Sequence, residues 1–420
     1  MQARIRLDHT LLAIEGEHRV HAMLELVAPD VPDAGRRPAL GLALVLDRSG
    51  SMAGPKLEVA RRCAAWVVER LAPSDRVAVV AYDDEVTLVA PLAPPEPARL
   101  AAAIAAITPG GMTNLSGGWL KGLEELGREA GVPVRKVVLL TDGLANVGIT
   151  EPAILADAAR AAAEAGVGTS TIGLGTGFDE DLLTALSDAG GGGAHFAETP
   201  DAAPAIFAAE LDGLASVVAQ NVSVEVRPGP GVTAVGALND HPAIPVEGGL
   251  QLSLGDAFGG ERRRVVLELA IPHLAALGPA RVAELVVRYV AVADGLSHHT
   301  LTLPVVVNAV SAEEAARAVP DADVTEEVML LRAARAQEEA VRRADRGDHA
   351  GAGHVLREAS AMLAAAPPGS VRAEELLRRS RDLADQVDLM SPSGYDATTR
   401  KRMRYQSHAA RRGRRRPGDR

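Results

Sequence analysis

The sequence predicts an α/β fold in which a doubly wound parallel sheet is inserted in, or lies beside, an antiparallel β-sandwich that is followed by a C-terminal helical region. From residue 39 to 214, continuous apolar runs alternate with helical segments, as in a parallel sheet covered on both faces. From 215 to 310, apolar and polar residues alternate between Gly/Pro turns, which is typical of antiparallel strands. From 311 to 390 the helical period returns.

The composition indicates a globular protein of more than one domain. Its 420 residues are too many for one compact core, and we expect two or three domains. Cys63 is the only cysteine, so an intrachain disulfide is excluded and nothing indicates an oxidising compartment. The first residues lack the pattern of a secretory signal, and no apolar run approaches the length of a membrane span. We therefore expect a cytoplasmic protein without a membrane span.

Residues 1–38 are predicted to supply N-terminal strands to the β-sandwich. Apolar and polar residues alternate in this stretch, and a loop rich in Pro, Asp and Arg closes it, from Pro29 to Pro38. The same alternation returns in residues 215–310. The α/β region 39–214 would then be an insertion in the sandwich, with its two ends close together.

The region 39–214 is predicted to form the doubly wound sheet. Its apolar runs are ALGLALVLD, RVAVVAYDD, KVVLLTDG and GVGTSTIGLG. The predicted helices are 56–71, 98–107, 115–129, 151–165, 179–189 and 201–214. Parallel strands that are separated by helices imply right-handed crossovers.

The C-terminal part is predicted to contain helices and a disordered tail. Residues 311–390 are expected to form a helical hairpin that packs on the sandwich; part of it resembles one tetratricopeptide repeat, an architecture that needs about three copies. Residues 391–420 are basic, with ten Lys/Arg from Arg400 onward against Asp419 alone. We expect this tail to be disordered until something binds. It either solubilises the chain or contacts an anionic surface, and no specific nucleic acid is expected.

Three polar motifs are predicted to meet at one edge of the parallel sheet. Residues 47–52 (DRSGSM) follow the first apolar run, residues 110–114 (GGMTN) precede a helix, and residues 141–143 (TDG) follow another apolar run. The carboxyl ends of parallel strands near a topological switch point form the binding crevice of open α/β sheets. We therefore expect a binding site at this edge.

The side chains of these motifs predict a site for a divalent cation. The candidate ligands are two carboxylates and three hydroxyls, from Asp47, Ser49, Ser51, Thr113 and Asp142. Such hard oxygen donors suit Mg²⁺ or Mn²⁺ better than zinc or copper. Two carboxylates only cancel the charge of the ion, so it stays a strong Lewis acid that can accept a carboxylate from outside.

The order and spacing of the three motifs resemble the metal-ion-dependent adhesion site of von Willebrand factor A domains. The resemblance covers about residues 39–214 and implies a Rossmann-like fold. It implies that Ser49, Ser51 and Thr113 bind the ion through their hydroxyls, and that Asp47 and Asp142 bind it directly or through water. With its flanking strands, the chain is similar to bacterial A-domain proteins and, more distantly, to inter-alpha-trypsin inhibitor heavy chains. The resemblance implies metal-dependent protein binding and no catalytic activity.

Other patterns in the α/β region do not match the motif of a known catalytic or nucleotide-binding site. Residues 173–177 (GLGTG) follow an apolar run, but Phe178 stands where a dinucleotide-binding fingerprint needs glycine. Residues 50–54 lack the spacing of a nucleophile elbow. His195 is more typical of a structural than of a catalytic histidine, because no Ser-His-Asp set accompanies it.

Three charged residues near the motifs are open to more than one interpretation. Asp83 and Asp84 end a strand on the predicted metal-facing edge, where a solvated turn is the ordinary expectation and a role behind the ligands or toward a partner is the alternative. Arg48 is an unexpected cation beside the metal. It either lowers metal affinity or pairs with a second carboxylate of the partner.

The sequence supports three hypotheses of function. In the first, the chain is a protein-interaction module whose metal binds an Asp or Glu side chain of a partner protein. In the second, it is an adaptor for an AAA+ ATPase, as in magnesium chelatase-like complexes, because A domains also pair with such subunits. In the third, which ranks last, it is a metal-dependent hydrolase.

Overall fold

A computed structural model describes residues 1–31, 37–129, 131–292, 295–365 and 370–415. The strands are β1 (Gln2–Leu7), β2 (Leu11–Ala13), β3 (His18–Val27), β4 (Leu40–Asp47), β5 (Arg76–Tyr82), β6 (Val86–Ala93), β7 (Val134–Thr141), β8 (Val167–Leu174), β9 (Gly191–Ala197), β10 (Val217–Pro228), β11 (Thr233–Ala237), β12 (Ala243–Val246), β13 (Gly249–Phe258), β14 (Arg262–Ile271), β15 (Gly278–Ala291), β16 (Ser297–Val310) and β17 (Arg414–Arg415). The helices are α1 (Pro55–Arg70), α2 (Pro97–Ala105), α3 (Leu115–Gly127), α4 (Pro152–Glu164), α5 (Glu180–Ala189), α6 (Ala203–Ala215), α7 (Ala312–Ala316), α8 (Ala322–Asp345), α9 (His349–Ala364), α10 (Ala373–Leu389) and α11 (Ala397–Arg411).

The predicted doubly wound sheet is confirmed. Its strand order is β6-β5-β4-β7-β8-β9, parallel except for the edge strand β6. One face packs on α1, α2 and α6, and the opposite face packs on α3, α4 and α5. The strands are long apolar runs because both faces are buried. The first strand, β4, lies between β5 and β7, so the chain order reverses there and opens a crevice at the carboxyl end of β4.

The strands on either side of the α/β region form two further sheets. One has the order β1-β3-β14-β11, and the other has the order β12-β13-β10-β15-β16-β2. Apolar side chains from both sheets, such as Leu24 and Val265 of the first and Val224 and Leu285 of the second, belong to one buried cluster. The buried ammonium group of Lys136 in β7 pairs with Asp256 of β13 at 2.8 Å, which joins the α/β region to these sheets.

Helices α7 to α10 lie within residues 311–390, where the helical region was predicted, and α11 lies beyond it. Helices α8 and α9 are joined by a short turn at Gly347, and α10 and α11 contribute to the same apolar cluster as they do. Among the described residues, no helix combines the length and the apolar composition that crossing a membrane requires. The cytoplasmic location and the exact bounds of the domains stay predictions from the sequence.

The prediction of a disordered tail from residue 391 onward is wrong for the part that the structure describes. Residues 397–411 form α11, whose N-terminus is capped by the Asp396 side chain. The remaining tail residues 416–420 lie outside the described residues, as do residues 32–36 of the predicted loop 29–38. The high density of basic residues suggested a solvated segment, but the basic side chains described in this part pair with acidic groups of the folded body: Arg400, Lys401, Arg402, Arg404, Arg411 and Arg412.

Helix α11 is held against the α/β region by ion pairs and aromatic contacts. Lys401 donates to the carbonyl oxygen of Phe178 at 2.7 Å and pairs with Glu180. Its ammonium group also lies 4.1 Å from the centre of the Phe178 ring, a favourable cation–π distance. Tyr405 stacks on Phe196 with ring centres 5.5 Å apart. The tail therefore contacts the acidic body of its own chain.

The same helix is also bonded to the helical region and to the antiparallel sheets. Arg400 pairs with Asp345 at the end of α8, at 2.9 Å. His408 lies between Asp188 of α5, at 3.3 Å, and Asp240 before β12, at 3.5 Å. Helix α11 thus connects all three parts of the molecule.

We expect the contribution of His408 to the stability of the fold to vary with pH. Burial alone would lower the pKa of His408, but Asp188 and Asp240 raise it from 6.5 to about 9. Because the pKa of His408 is higher in the folded than in the unfolded state, its charged form stabilises the fold. This contribution is complete below pH 6.5 and is lost as the pH rises through about 9. A pKa shift of this size corresponds to roughly 3 kcal/mol.

This pH dependence is measured by comparing the thermal unfolding of the wild type with that of His408→Gln from pH 6.5 to above pH 9. The wild type is expected to be more stable at the low end of this range, and the difference should shrink toward the high end. A difference that stays constant across the range would show that His408 is not charged in the folded protein.

Candidate functional site

The predicted motifs meet at the carboxyl ends of β4 and β7. The loop after β4 and the loop before α3 are joined by backbone hydrogen bonds from Gly50 to Gly111, at 2.9 Å, and from Gly110 to Arg48, at 2.7 Å. The third motif follows β7, which is the neighbour of β4 in the sheet. The topological switch at β4 is therefore the feature that brings distant motifs to one place.

Four of the predicted ligands form a connected set. Ser51 Oγ donates to Asp142 Oδ1 at 2.7 Å, and the Oγ atoms of Ser49 and Ser51 are 3.1 Å apart. The backbone N–H of Ser49 donates to Asp47 Oδ1 at 2.8 Å. Asp47, Ser49 and Asp142 are buried, whereas Ser51 is exposed. The set is thus open to solvent on the side of Ser51.

Thr113 reaches the same place from the loop before α3. A Cβ atom placed on Gly143 would lie 3.3 Å from Thr113 Oγ1 and 3.4 Å from Ser51 Oγ, so both hydroxyls contact one point of the third motif. The backbone of Thr113 exchanges hydrogen bonds with Asn146, whose side chain accepts at 2.8 Å and whose N–H donates at 3.1 Å. The sequence pattern does not reveal Asn146, because it lies outside the three motifs.

Two buried carboxylates lie side by side in this set. Thr141 Oγ1 donates to Asp47 Oδ2 at 2.5 Å. Burial raises the pKa of Asp47, the hydrogen bonds from Ser49 and Thr141 oppose this, and the charge of Asp142 raises it further. Two anionic groups that are buried together favour a nearby cation.

A cation that the sequence pattern did not reveal contacts one of these carboxylates. The ammonium group of Lys56, in the first turn of α1, pairs with Asp142 Oδ2. The Asp142 side chain has no exposed surface, while that of Lys56 is about one-third exposed. The only signal in the sequence was the position of a lysine four residues after the end of the first motif.

Asp83 and Arg48 pair with each other, which overturns the expected solvated turn at Asp83 and agrees with the alternative of a role behind the predicted ligands. Arg48 Nη2 donates to Asp83 Oδ1 at 3.0 Å, and the N–H of Gly111 donates to Asp83 Oδ2 at 3.1 Å. Although burial alone would raise it, these bonds and one from the Glu85 N–H lower the pKa of Asp83. Asp83 is therefore buried, and its hydrogen bonds hold the loops of the first and second motifs together; it is not part of a solvated turn. Arg48 is engaged within the chain.

The two glycines of the second motif permit this packing. A Cβ atom on Gly110 would lie 1.6 Å from Asp83 Oδ2, and one on Gly111 would lie 1.8 Å from Asp84 Oδ1. Any larger residue would have to displace these carboxylates. The Gly-Gly pair is thus required by the close approach of two loops, in addition to any role in turning the chain.

His195 has a structural environment, as its sequence context indicated. Its Nε2 atom lies 2.9 Å from Glu210 Oε2, and Glu210 also accepts a hydrogen bond from Ser170. Burial opposes ionisation of Glu210, but His195, Lys136 and Ser170 lower its pKa to about 2. This cluster lies between β8, β9 and α6, apart from the three motifs.

The spacing of the oxygen atoms is compatible with a small divalent ion. Adjacent ligands of an octahedral ion at about 2.1 Å are about 3.0 Å apart, and the Ser49 and Ser51 Oγ atoms are 3.1 Å apart. The donors are all oxygens, and the ammonium of Lys56 already places a positive charge at Asp142. The donor set therefore fits Mg²⁺ or Mn²⁺.

Comparisons with known proteins agree on the α/β region. The family model of the von Willebrand factor type A domain matches residues 42–209, a range that contains all three motifs. A von Willebrand factor type A structure from Catenulispora acidiphila aligns with a TM-score of 0.71 and 18% identity, over 96% of this chain and 96% of that chain. At this identity the structural likeness concerns the fold alone.

Relatives are found in bacteria, plants and animals. The uncharacterized protein sll0103 of Synechocystis sp. is 25% identical over 80% of this chain and 81% of that protein. The E3 ubiquitin-protein ligase WAV3 of Arabidopsis thaliana is 28% identical over 58% of this chain and 32% of that protein. The inter-alpha-trypsin inhibitor heavy chain H3 of Homo sapiens is 30% identical over 34% of this chain and 17% of that protein. The match with the last two spans a third or less of their length.

Proposed function

Since residues 42–209 form a von Willebrand factor type A domain, we propose that this chain is a divalent-metal-dependent module that binds an Asp or Glu side chain of a partner protein. The observation that supports this most is the cluster in which Ser51 contacts both Ser49 and Asp142, with Thr113 beside them. Oxygen donors from three separate loops converge at an edge that opens to solvent.

In this proposal each motif residue has one role toward the metal. Ser49, Ser51 and Thr113 bind the ion through their hydroxyls, and Asp47 and Asp142 bind it directly or through water. Mg²⁺ is the proposed ion and Mn²⁺ an effective substitute, because both prefer oxygen ligands. When bound, the ion supplies a Lewis acid for an incoming carboxylate. Exposed Ser51 lies on the side where that carboxylate enters.

Catalysis is not part of the proposal. Both oxygens of Asp47 accept hydrogen bonds, from Ser49 and Thr141, and both oxygens of Asp142 are engaged by Ser51 and Lys56. Neither carboxylate is free to act as the general base that a hydrolase needs. The ligase activity in the name of WAV3 belongs to that protein, of which the matched part is 32%.

An AAA+ ATPase subunit is the second candidate partner. The sequence contains no Walker-type Gly-x-x-x-x-Gly-Lys-Ser/Thr motif, so ATP hydrolysis in such a complex would belong to the partner. The same metal site would then bind a carboxylate of the ATPase. The identity of the captured protein separates this case from a partner without nucleotide chemistry.

An affinity capture from native cell extract tests the proposed function. The full chain is immobilised in parallel with Mg²⁺ and with EDTA, and Asp142→Asn serves as a variant that keeps the shape of the side chain. The proposal expects a protein that only the wild type with metal retains. A captured set that neither EDTA nor the substitution changes would contradict it.

We expect Lys56→Met to increase metal affinity by about tenfold. The ammonium group of Lys56 pairs with Asp142, so a metal ion at this carboxylate has to compete with it. Isothermal titration with Mn²⁺ measures the affinity, and the metal-induced rise in unfolding temperature gives a second reading. Lys121→Met is the matched control, because Lys121 pairs with Glu124 on α3. Unchanged or weaker binding by Lys56→Met would show that the lysine does not compete.

A further inference from the structure

The loops around the proposed metal site expose large apolar side chains. Met112 is 57% exposed and lies next to Thr113, Leu144 is 58% exposed and lies two residues after Asp142, and Ile149 is 39% exposed in the same loop as Leu144. Single exposed apolar residues are ordinary, but several on neighbouring loops mark an interaction surface. We refer to Met112, Leu144 and Ile149 as the apolar rim.

Hydrogen bonds hold the two loops of the rim together. The N–H groups of Asn146 and Val147 both donate to the carbonyl oxygen of Thr113, at 3.1 and 3.2 Å. The N–H of Ile149 donates to Ser116 Oγ at 2.8 Å. The loop that carries Leu144 and Ile149 is therefore fixed against the loop that carries Met112. The rim is a prearranged surface, which lowers the entropy lost on binding.

Exposed acidic side chains lie next to the Met112 end of the apolar rim. Asp84 and Glu85 are exposed between β5 and β6, and Asp84 Oδ1 accepts a hydrogen bond from the Met112 N–H at 3.2 Å. Acidic side chains there repel further acids of a ligand. The cation site attracts one carboxylate, whereas these exposed acids disfavour a second one, so the neighbours of the bound acidic residue meet apolar surface.

From this arrangement we infer that the ligand is a polypeptide segment in which an Asp or Glu lies directly beside a large apolar side chain. The inference rests on the proposed function, since the acidic side chain binds the metal. The apolar neighbour packs on Met112 and Leu144 and determines which acidic segments are selected.

A selection from a phage library of short random peptides tests this inference. The full chain is immobilised with Mn²⁺, and the bound phage are eluted first with EDTA and then with acid. The wild type is compared with Met112→Ser/Leu144→Ser. The matched control is Leu277→Ser/Leu296→Ser, because these leucines are 66% and 59% exposed in turns of the antiparallel sheets.

The inference expects EDTA-eluted peptides in which an acid is flanked by a large apolar residue. The rim variant should bind such a peptide at least about tenfold more weakly than the wild type, with an unchanged affinity for Mn²⁺, and the control variant should bind it as the wild type does. EDTA-eluted acidic peptides without apolar neighbours would overturn the inference and leave the proposed function standing. Apolar peptides that bind the wild type but not the rim variant, and that EDTA does not elute, would support the docking surface and contradict the role of the metal. No enrichment in either eluate would contradict both.

Discussion

Asp142→Asn is expected to reduce the affinity for Mn²⁺ by at least about 100-fold, roughly 2.7 kcal/mol. The substitution removes one of two carboxylate charges that the proposed site contributes, and a divalent ion depends strongly on ligand charge. The side chain keeps its size, so it still accepts the hydrogen bond from Ser51 Oγ. Isothermal titration of the full chain measures the loss.

Asp84→Asn is the matched control for this experiment. Asp84 is exposed and lies on the same side of the sheet, where it accepts a hydrogen bond from the Met112 N–H. The control is expected to bind Mn²⁺ within a factor of about three of the wild type. Circular dichroism establishes that both variants are folded. If Asp142→Asn then bound Mn²⁺ as tightly as the control, the metal would lie elsewhere.

Removal of α11 is expected to have the largest effect on stability. A chain that ends at residue 396 loses Lys401 and its contacts with Glu180 and Phe178, the stacking of Tyr405 on Phe196, and the buried side chain of Met403. The acidic partner Glu180 would then be buried or half-buried without its cation, which is costly. We expect the unfolding temperature to fall by about 10 °C or more, as measured by calorimetry.

The control is a chain that ends at residue 415, which keeps α11 and β17. It is expected to unfold at the temperature of the full chain within about 1 °C. If the chain ending at 396 were as stable as this control, the contacts of α11 would not contribute to the folded state. Far-UV circular dichroism then shows whether the shortened chain keeps its sheets.

The α/β sheet was predictable because its signals are local and repeated. A strand such as β4 is a continuous apolar run and is buried on both faces. Such runs, each followed by a helix, are compatible with few folds other than a parallel sheet covered by helices on both sides. The edge strands were missed. Strand β6 has mostly exposed or half-exposed residues, and β9 begins with three glycines, so neither carries the apolar pattern of a central strand.

The tail was mispredicted because its order depends on distant residues. Helix α11 has a strongly polar sequence, with five Arg or Lys side chains, one Gln and one His and few large apolar residues, and alone it has little to bury. Its stability comes from acids such as Asp188 and Glu198 and from the rings of Phe178 and Phe196. Composition can show that a segment is basic but not that an acidic, aromatic surface of the same chain is shaped to receive it.

The candidate site was predicted in its residues but not in its surroundings. Asp47 and Asp142 belong to motifs whose order is informative, and the sheet explains why they meet. The ion pair of Lys56 with Asp142 and the pairing of Arg48 with Asp83 depend on side-chain directions across loops. Spacing along the chain does not specify these directions, so such partners become visible only in the fold.

An anomalous difference map from a crystal of the full chain soaked in Mn²⁺ shows directly whether the proposed site holds a metal ion. We expect a peak enclosed by the hydroxyls of Ser49, Ser51 and Thr113 and by the carboxylates of Asp47 and Asp142, with Lys56 moved away from Asp142. The peak should disappear in Asp142→Asn. A map without density at this position under saturating Mn²⁺, or with Lys56 still paired with Asp142, would contradict the account.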